Sequence, residues 1–516
     1  MKYFLLTLLC ILQTLALFGQ TPGIDKQAIA KIRDEGLNRS QIEELTYFLT
    51  DYSGPRLSNS EGYQRAAQWA VAQLSEWGLK EAHLEAWGDF GRGWQVEKTY
   101  TAMKAPYYFP LIAMPKAWSH STNGLITGEV VVLQADNAEE LDQYRGKLAG
   151  KVILFPSDDT SAPTFKPDAT RKSDEEMAKI AAPPVKKENR YTAEQIAQYW
   201  AKRALQEKLD TFLIQEKALG ILRGTRGRHG TFFTSNGGSY ATDAPWRLPE
   251  WEMAPEHANL MARLIAKGEK VVVEAEAQTR FIEDTKAYNV IAEIPGSDKK
   301  LKPELVMLGA HLDSWHAATG ATDNAAGCIV MMEAVRILQA CELKPKRTIR
   351  IALWSGEEQG LYGSRHYVKK HFADQNDMQL TPEHENFSAY YNLDNGGGRI
   401  RGIYLQENAA AKPYFEAWLA PFSDLIETPT ITLQNTGATD HISFDAVGLP
   451  AFQFIQDNLE YGTRTHHSNM DLRERLIMDD LKQMAVIVAS IVYHTAQAED
   501  KIPRKALPAP APSPYE

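Results

Sequence analysis

The sequence predicts an α/β protein in which a central sheet, mostly parallel or mixed, is flanked by helices and interrupted by an inserted β-rich segment. From residue 288 onward, strand-like and helix-like runs alternate, which is typical of parallel strands joined by helices. Before that point, short β-rich runs at 129–133, 151–155 and 270–277 are separated by polar stretches. The chain of 516 residues is long enough for two or three domains.

The individual elements follow from local patterns. In the regular part we predict strands at 289–294, 304–310, 347–354 and 387–393, and helices at 324–340, 360–372 and 474–497. The last of these helices is supported by five apolar residues between 481 and 492 that share one helical face. Residues 25–80 are expected to be helical with an interruption at Gly54–Pro55, and a surface helix is expected at 193–217.

These patterns divide the chain into five segments. Lys2 followed by an apolar run to Phe18 is typical of a secretory signal peptide, so we expect export to the periplasm or the medium. The Pro- and Ala-rich end of the chain is typical of a disordered tail. The predicted segments are a signal peptide (1–19), the first part of the main domain (20–124), an insert domain (125–282), the second part of the main domain (283–500) and the tail (501–516).

Composition excludes several classes of protein. The formal net charge is −10, and Lys and Arg form no continuous stripe, so a nucleic-acid partner is not expected. The N-terminal apolar run is shorter than the ~20 residues of a membrane span. The sequence has three cysteines, which excludes a disulfide-rich scaffold. Cys328 and Cys341 fall in one predicted helix, about 20 Å apart, and should stay reduced.

Ligand-type residues follow the ends of successive predicted strands. His311 and Asp313 follow the first of these strands, Glu357 and Glu358 the second, and Asp394 the third. Because ligands collect at the carboxyl ends of strands in open α/β sheets, we expect these side chains to share one crevice. The loop of Asp323 and the segment 466–471, which contains two histidines, should reach the same rim.

Mixed histidine and carboxylate ligands suit zinc. Two metal ions about 3.5–4 Å apart need a bridging carboxylate, and we assign that role to Asp323. His311 and Asp394 would complete one metal site, and Glu358 with His467 the other. The sequence therefore predicts two zinc ions per chain.

Two further acids have separate predicted roles beside the metals. Glu357 is expected to act as general base, taking a proton from the attacking water and delivering it to the leaving amine. Asp313 is expected to hold the second ring N–H of His311. Each motif alone has a simpler explanation, such as a surface loop or an acidic helix start. Their combination at predicted strand ends is what favours a metal centre.

At these residues the chain resembles the co-catalytic dinuclear zinc exopeptidases, a family that includes secreted bacterial aminopeptidases and plasma glutamate carboxypeptidase. The matching stretches are GAHLDSW (309–315), GATDNAAG (320–327), WSGEEQGLYGS (354–364), NLDNGG (392–397), GATDH (437–441) and HHSNMD (466–471). The resemblance implies the same five ligands and the same base, and it favours His467 over His466 because Ser468 and Asp471 follow it. It also implies a protease-associated insert at 125–282, enlarged by residues 157–210.

The resemblance further implies that His441, next to Asp440, contacts the substrate or the transition state. The simpler alternative is that Asp440 caps a helix and His441 takes no part. The expected substrate is a short peptide, and an aminopeptidase is the first expectation. Recognition of a free carboxylate would need a cation instead, and Arg399, Arg401 and Arg464 lie near the predicted rim. A carboxypeptidase or dipeptidase, a single-zinc cyclase and a non-catalytic binding protein therefore remain alternatives.

Overall fold

The computed structural model describes residues 23–135, 137–184 and 192–512. The signal peptide predicted at 1–19 lies outside these ranges. Among the described residues, no helix has the length and apolar character that crossing a membrane requires. Cys328 and Cys341 are both free, as predicted.

The described strands form two eight-stranded sheets. In chain order the strands are β1 (Lys80–Asp89), β2 (Gly93–Ala105), β3 (Phe109–Pro110), β4 (Ala113–Pro115), β5 (Ile126–Val132), β6 (Lys151–Phe155), β7 (Gly220–Gly224), β8 (Glu250–Met253), β9 (Val272–Ile282), β10 (Lys286–Ile294), β11 (Leu305–His311), β12 (Thr348–Trp354), β13 (Phe387–Asn392), β14 (Ile400–Tyr404), β15 (Thr430–Thr432) and β16 (Ala451–Gln456). The first sheet has the order β1-β10-β12-β11-β13-β16-β14-β15, and the second has the order β3-β2-β9-β5-β6-β7-β8-β4.

Helices cover the sheets. In chain order the α-helices are α1 (Lys26–Asn38), α2 (Ile42–Tyr47), α3 (Glu61–Glu76), α4 (Asp174–Ala181), α5 (Ala193–Gln215), α6 (Pro255–Ala266), α7 (Ala326–Ala340), α8 (Tyr362–His371), α9 (Pro382–Asn386), α10 (Lys412–Leu419), α11 (His441–Asp445) and α12 (Met478–Gln497). The mixed α/β fold class predicted from the sequence is confirmed.

The centre of the first sheet is parallel. Strands β12, β11, β13 and β16 are parallel neighbours, whereas β10 and β14 run antiparallel at its two sides. Every residue of β11 and of β13 is buried, as expected for a parallel sheet covered on both faces. The carboxyl ends of these parallel strands therefore lie at one edge, and this edge carries the polar cluster described below.

Helix α7 begins two residues later than predicted. Residues 321–325 form a tight turn in which Asp323 and Asn324 have non-helical backbone angles, and the peptide bond between them is cis. Gly320, just before the turn, has a φ of 58°, a conformation that glycine adopts without a steric penalty. The sequence pattern did not separate this turn from the helix, because no glycine or proline lies within residues 321–326.

The second sheet begins earlier than the predicted insert boundary at residue 125. Strand β2 pairs along its length with β9 and so belongs to the second sheet, although it directly follows β1 of the first sheet. The chain crosses between the sheets near Gly91, whose φ is 116°. The change of sheet therefore lies before residue 125, where the sequence predicted the start of the insert. We refer to residues 93–282 as the second domain and to the remainder as the main domain.

The beginning of the tail also differs from the predicted disorder. Ile502 is 1% exposed, and Arg504 donates hydrogen bonds to the carbonyl oxygens of His384 (2.6 Å) and Phe387 (2.8 Å). Lys505 pairs with Asp445 at 2.6 Å. The composition of the tail could not show these partners, since all of them lie elsewhere in the chain.

Candidate metal centre

The parallel strands of the first sheet bring the predicted residues together. His311 ends β11, Glu357 and Glu358 lie in the turn after β12, and Asp394 follows β13 by two residues. His311 is 1% exposed and Asp394 7% exposed. This cluster therefore lies at the carboxyl edge of the sheet, where the sequence placed it.

A first group of three ligand atoms surrounds His311. Its Nε2 lies 3.4 Å from Oδ1 of Asp323 and 3.5 Å from Oδ1 of Asp394. Glu357 is slightly farther, with its Oε2 at 3.9 Å from the same nitrogen. The three closest groups are of the type and spacing that can hold one cation.

A second group shares Asp323 with the first. Nε2 of His467 lies 3.2 Å from Oδ2 of Asp323 and 2.9 Å from Oε2 of Glu358. His466 is more distant from Asp323 Oδ2, at 3.9 Å, yet it remains within the reach of a metal group with Asp323 and His467. The two carboxylate oxygens of Asp323 thus face different groups, as a bridging ligand requires.

These residues fit zinc. Two ligands about 2.0–2.1 Å from a tetrahedral zinc ion lie about 3.3 Å apart, close to the separations around Asp323. Within the described chain, Oδ2 of Asp323 and Oε1 of Glu358 are buried without a hydrogen-bond partner. A buried carboxylate oxygen without a donor is costly, and a bound cation would remove that cost.

The crowding of acids in the cluster shifts the pKa values of its members. Burial and neighbouring carboxylates raise the pKa of Glu357 well above its usual range, and burial raises that of Glu358 to about 7. Burial also acts on Asp323, but the neighbouring imidazoles of His311 and His467 outweigh it and hold its pKa well below the usual range. Asp323 therefore remains the anionic centre of the cluster.

The role predicted for Asp313 needs a correction. Nδ1 of His311 lies 3.0 Å from the main-chain oxygen of Asp313, and the carboxylate is farther, at 3.8 Å. Because a carbonyl oxygen only accepts, Nδ1 carries the proton and Nε2 is left free to bind a metal. The Asp313 carboxylate instead accepts hydrogen bonds from Ser58 Oγ (2.9 Å) and from the backbone N–H groups of Glu357 and Glu358 (both 3.3 Å).

Two residues to which the sequence gave no role also support the cluster. Oδ1 of Asp471 accepts a hydrogen bond from the backbone N–H of Thr322 (2.7 Å), and its Oδ2 accepts one from that of Asp323 (3.0 Å). Trp315 Nε1 donates to Oε2 of Glu358 at 2.8 Å. Both residues belong to the sequence motifs quoted above, so their position was a signal, but their partners depend on the folded structure.

His441 is fully buried at the start of α11. Its Nε2 lies 3.2 Å from the carbonyl oxygen of Thr436, and burial lowers its pKa to about 4. The side chain of Asp440 makes no capping hydrogen bond, and burial raises its pKa to about 7. The simple capping explanation is therefore wrong, and contact of His441 with a substrate stays a prediction.

The three arginines considered for a free carboxylate are already engaged. Each of them pairs with an aspartate of this chain: Arg399 with Asp480 (3.1 Å), Arg401 with Asp457 (2.9 Å) and Arg464 with Asp168. A different cation lies on this side of the molecule, because the guanidinium of Arg226 stacks over Phe233 at 3.8 Å. Phe233 in turn forms a β-bridge with Ser468, next to His467.

Comparison with known proteins finds a family match in the region that contains the metal-ligand residues. Residues 289–492 match the model of Peptidase family M28. Carboxypeptidase Q of Mus musculus is 25% identical over 484 residues, covering 93% of this chain and 90% of that protein. Aminopeptidase YwaD of Bacillus subtilis is 28% identical over 204 residues, covering 39% of this chain and 43% of that protein.

Solved structures share the fold. The crystal structure of a Peptidase M28 precursor from Shewanella amazonensis has a TM-score of 0.67 and 22% identity, covering 94% of this chain and 98% of that chain. The zinc aminopeptidase BSAP from Bacillus subtilis has a TM-score of 0.53 and 17% identity, covering 93% and 97% respectively. The family match over residues 289–492 and the relatives that extend over nine-tenths of the chain support a hydrolase of the metallo-exopeptidase class, related to peptidase family M28.

Proposed function

We propose that this chain is a zinc-dependent exopeptidase that hydrolyses short peptides with two metal ions and a glutamate base. The observation that carries the proposal is the arrangement around Asp323, whose two oxygens face two separate groups of ligand atoms. His311 and Asp394 would hold one zinc ion with it, and Glu358 and His467 the other. Bound zinc would supply Lewis-acid polarisation of the scissile carbonyl and would favour ionisation of the attacking water.

Glu357 has the position and the pKa of a proton carrier. Its Oε2 lies 3.9 Å from His311 Nε2, beside the first group but outside the set of three closest ligand atoms. Burial raises its pKa well above the usual range, which suits a group that accepts a proton and later releases it. The backbone hydrogen bond from Glu357 to Asp313 fixes the turn that carries it. We assign to Glu357 proton transfer from water to the leaving amine.

The proposal extends to the remaining segments of the chain. We propose that the second domain is a protease-associated insert that shapes the entrance to the site, and that the chain is exported by its N-terminal apolar segment. Support for the first comes from the aromatic contact between Trp118 of the second domain and Trp315 beside Glu358, with ring centroids 6.5 Å apart. Support for the second comes from the sequence between Lys2 and Gly19.

The reaction is tested with dipeptides as substrates. Purified enzyme is assayed against a free dipeptide before and after dialysis with a chelator, and again after zinc is returned. We expect hydrolysis that disappears with the chelator and returns with zinc. Activity that survives complete removal of metal, confirmed by elemental analysis, would contradict a metal-dependent reaction.

A carboxypeptidase or dipeptidase is the second candidate, beside the aminopeptidase expected from the sequence. A specific observation favours it, because the relatives that cover nine-tenths of the chain bear the name carboxypeptidase Q. Dipeptides blocked at the amino end or at the carboxyl end separate the two activities. An aminopeptidase cleaves the substrate with a blocked carboxyl end, and a carboxypeptidase cleaves the substrate with a blocked amine.

A further inference from the structure

The segment that carries His467 belongs to the main domain, yet the second domain holds it on two sides. We call residues 457–469 the ligand loop, because this stretch follows β16 and contains both His466 and His467. Within it, His467 has a φ of 60°. A residue other than glycine keeps this left-handed conformation only when its surroundings impose it. The contacts that impose it on His467 are therefore part of the site.

The first of these contacts comes from residues 168–172 of the second domain. The backbone N–H of Thr170 donates to the carbonyl oxygen of Leu459 at 3.0 Å, and Thr463 Oγ1 donates to the carbonyl oxygen of Asp168 at 2.8 Å. Asp168 also forms an ion pair with Arg464. This segment runs along the beginning of the ligand loop and fixes it three residues before His467.

Arg171 anchors that segment to the main domain. Its Nη1 lies 2.9 Å from Oδ2 of Asp457 and 2.8 Å from Oδ2 of Asp480. Both carboxylates are buried, with side-chain exposures of 0% and 1%. Arg401 pairs with Asp457 and Arg399 pairs with Asp480, so each aspartate keeps a partner from the main domain if Arg171 is replaced.

The second contact comes from residues 232–235, on the other side of the ligand loop. The backbone N–H of Thr234 donates to the carbonyl oxygen of His467 at 2.7 Å, and its Oγ1 lies 3.2 Å from the same oxygen. Phe232 and Asn469 exchange two hydrogen bonds, at 2.9 Å and 3.2 Å. Beneath this segment, Ser235 donates from its N–H and its hydroxyl to the buried Glu252.

We propose that Arg171 and Thr234 are positioning residues through which the second domain holds His467 in ligating position. The zinc ion bound by Asp323, Glu358 and His467 then depends on the second domain, whereas the ion bound by His311, Asp323 and Asp394 does not. This inference rests on the proposed function, because it presupposes two bound zinc ions. The sequence left the role of residues 157–210 open. The inference assigns to residues 168–172 within that segment the role of supporting one metal.

The test is a zinc titration of the full chain, with Arg171→Met and Thr234→Val compared with the wild type. Replacement of groups that orient a metal ligand weakens metal affinity by about 10–100-fold. We expect one of the two zinc sites to lose about tenfold in affinity in each variant, while the other site keeps its affinity. Excess zinc should restore most of the hydrolytic activity, and Arg171→Lys should lie between Arg171→Met and the wild type.

Arg145→Met is the matched control, because Arg145 belongs to the same domain and pairs with Asp142 at the surface (64% and 65% exposed). It should leave both zinc affinities unchanged. Unfolding temperatures of the chelated proteins distinguish a general loss of stability from a loss of metal affinity. If Arg171→Met does not fold, Thr234→Val, which removes one hydroxyl group, still tests the proposal. Two unchanged zinc affinities in a folded variant would overturn this inference alone. A wild-type chain that binds fewer than two zinc ions would overturn the proposed function itself.

Discussion

Both domains bury acidic side chains, but within the described chain the acids around Asp323 in the main domain have no lysine or arginine partner. In the second domain, Glu250 pairs with Arg223 at 2.7 Å, and Lys116 lies 3.6 Å from Glu250 and 3.7 Å from Glu252. Glu252 also accepts two hydrogen bonds from Ser235. In the main domain, by contrast, the acids around Asp323 face two histidines and one another.

This difference distinguishes buried acids that form structural ion pairs from buried acids that form a metal-binding site. Buried acids that are paired and hydrogen-bonded complete the fold without a ligand. At Asp323 and Glu358, buried oxygen atoms without donors lie next to histidine ligands, and this combination favours a bound cation. The comparison therefore makes two opposite predictions: replacing the acids around Asp323 should affect metal and catalysis, and replacing Glu250 or Glu252 should affect stability.

The largest effect is expected from Asp323→Ala. Because its two oxygens face both groups of ligand atoms, its removal should lower zinc content at both positions and abolish hydrolysis. Elemental analysis of the dialysed protein measures the zinc, and a peptide assay measures the activity. Zinc content equal to that of the wild type would mean that Asp323 does not bridge two metals.

Glu357→Gln should reduce activity by about 10²–10⁴-fold, the range associated with loss of a general base. The amide has nearly the same shape but cannot take a proton at neutral pH. Zinc content should stay near that of the wild type, since Glu357 is outside the closest ligand set. Glu61→Gln, at a surface pair with Arg280, is the control and should retain full activity. A fully active Glu357→Gln enzyme would remove the base assignment.

Metal removal should destabilise the main domain. A ligand that binds only the folded state at a free concentration a thousand times its dissociation constant adds about 4 kcal/mol to the free energy of unfolding. Without zinc, Asp323, Glu358 and Asp394 would repel one another in a buried site. Calorimetry with and without a chelator should therefore show a lower unfolding temperature for the chelated protein. Identical unfolding temperatures would argue against a metal bound at this cluster.

The smallest of these effects is expected in the second domain, from Glu252→Gln. Burial raises the pKa of Glu252 from 4.5 to about 7, although the charge of Lys116 opposes the rise. The native state then binds more protons than the unfolded state between these pH values, so the free energy of unfolding should fall as pH rises from 4.5 to 7, by at most about 3 kcal/mol.

Glu252→Gln removes that titration, so this part of the pH dependence should disappear. Chemical denaturation of both proteins at pH 5 and pH 8 measures it. An equal loss of stability in the variant between the two pH values would show that other groups cause the dependence.

The same contrast explains which parts of the molecule the sequence could predict. The strands that lead to His311, Glu357 and Asp394 were predictable, because apolar runs of strand length are local and parallel strands share one carboxyl edge. The ion pairs of Glu250 and Glu252 with Lys116 were not, since more than a hundred residues separate the partners. In the sequence alone, these acids could not be distinguished from ligands.

The errors have the same origin. The predicted contact between His311 and the Asp313 side chain was wrong because a sequence spacing of two residues does not specify whether the carboxylate or the main-chain oxygen faces the ring. The change of sheet between β1 and β2 was not predicted, because these two strands follow each other directly in the chain. The side-chain contact and the change of sheet both depend on the direction of the backbone. That direction cannot be deduced from the neighbouring residue types alone.

The central claim is that Asp323 is shared by two metal ions, and anomalous diffraction from crystals of the zinc-loaded protein tests it most directly. Two anomalous peaks are predicted, one between His311, Asp323 and Asp394 and the other between Asp323, Glu358 and His467. A single peak, or two peaks of which only one contacts Asp323, would contradict the claim.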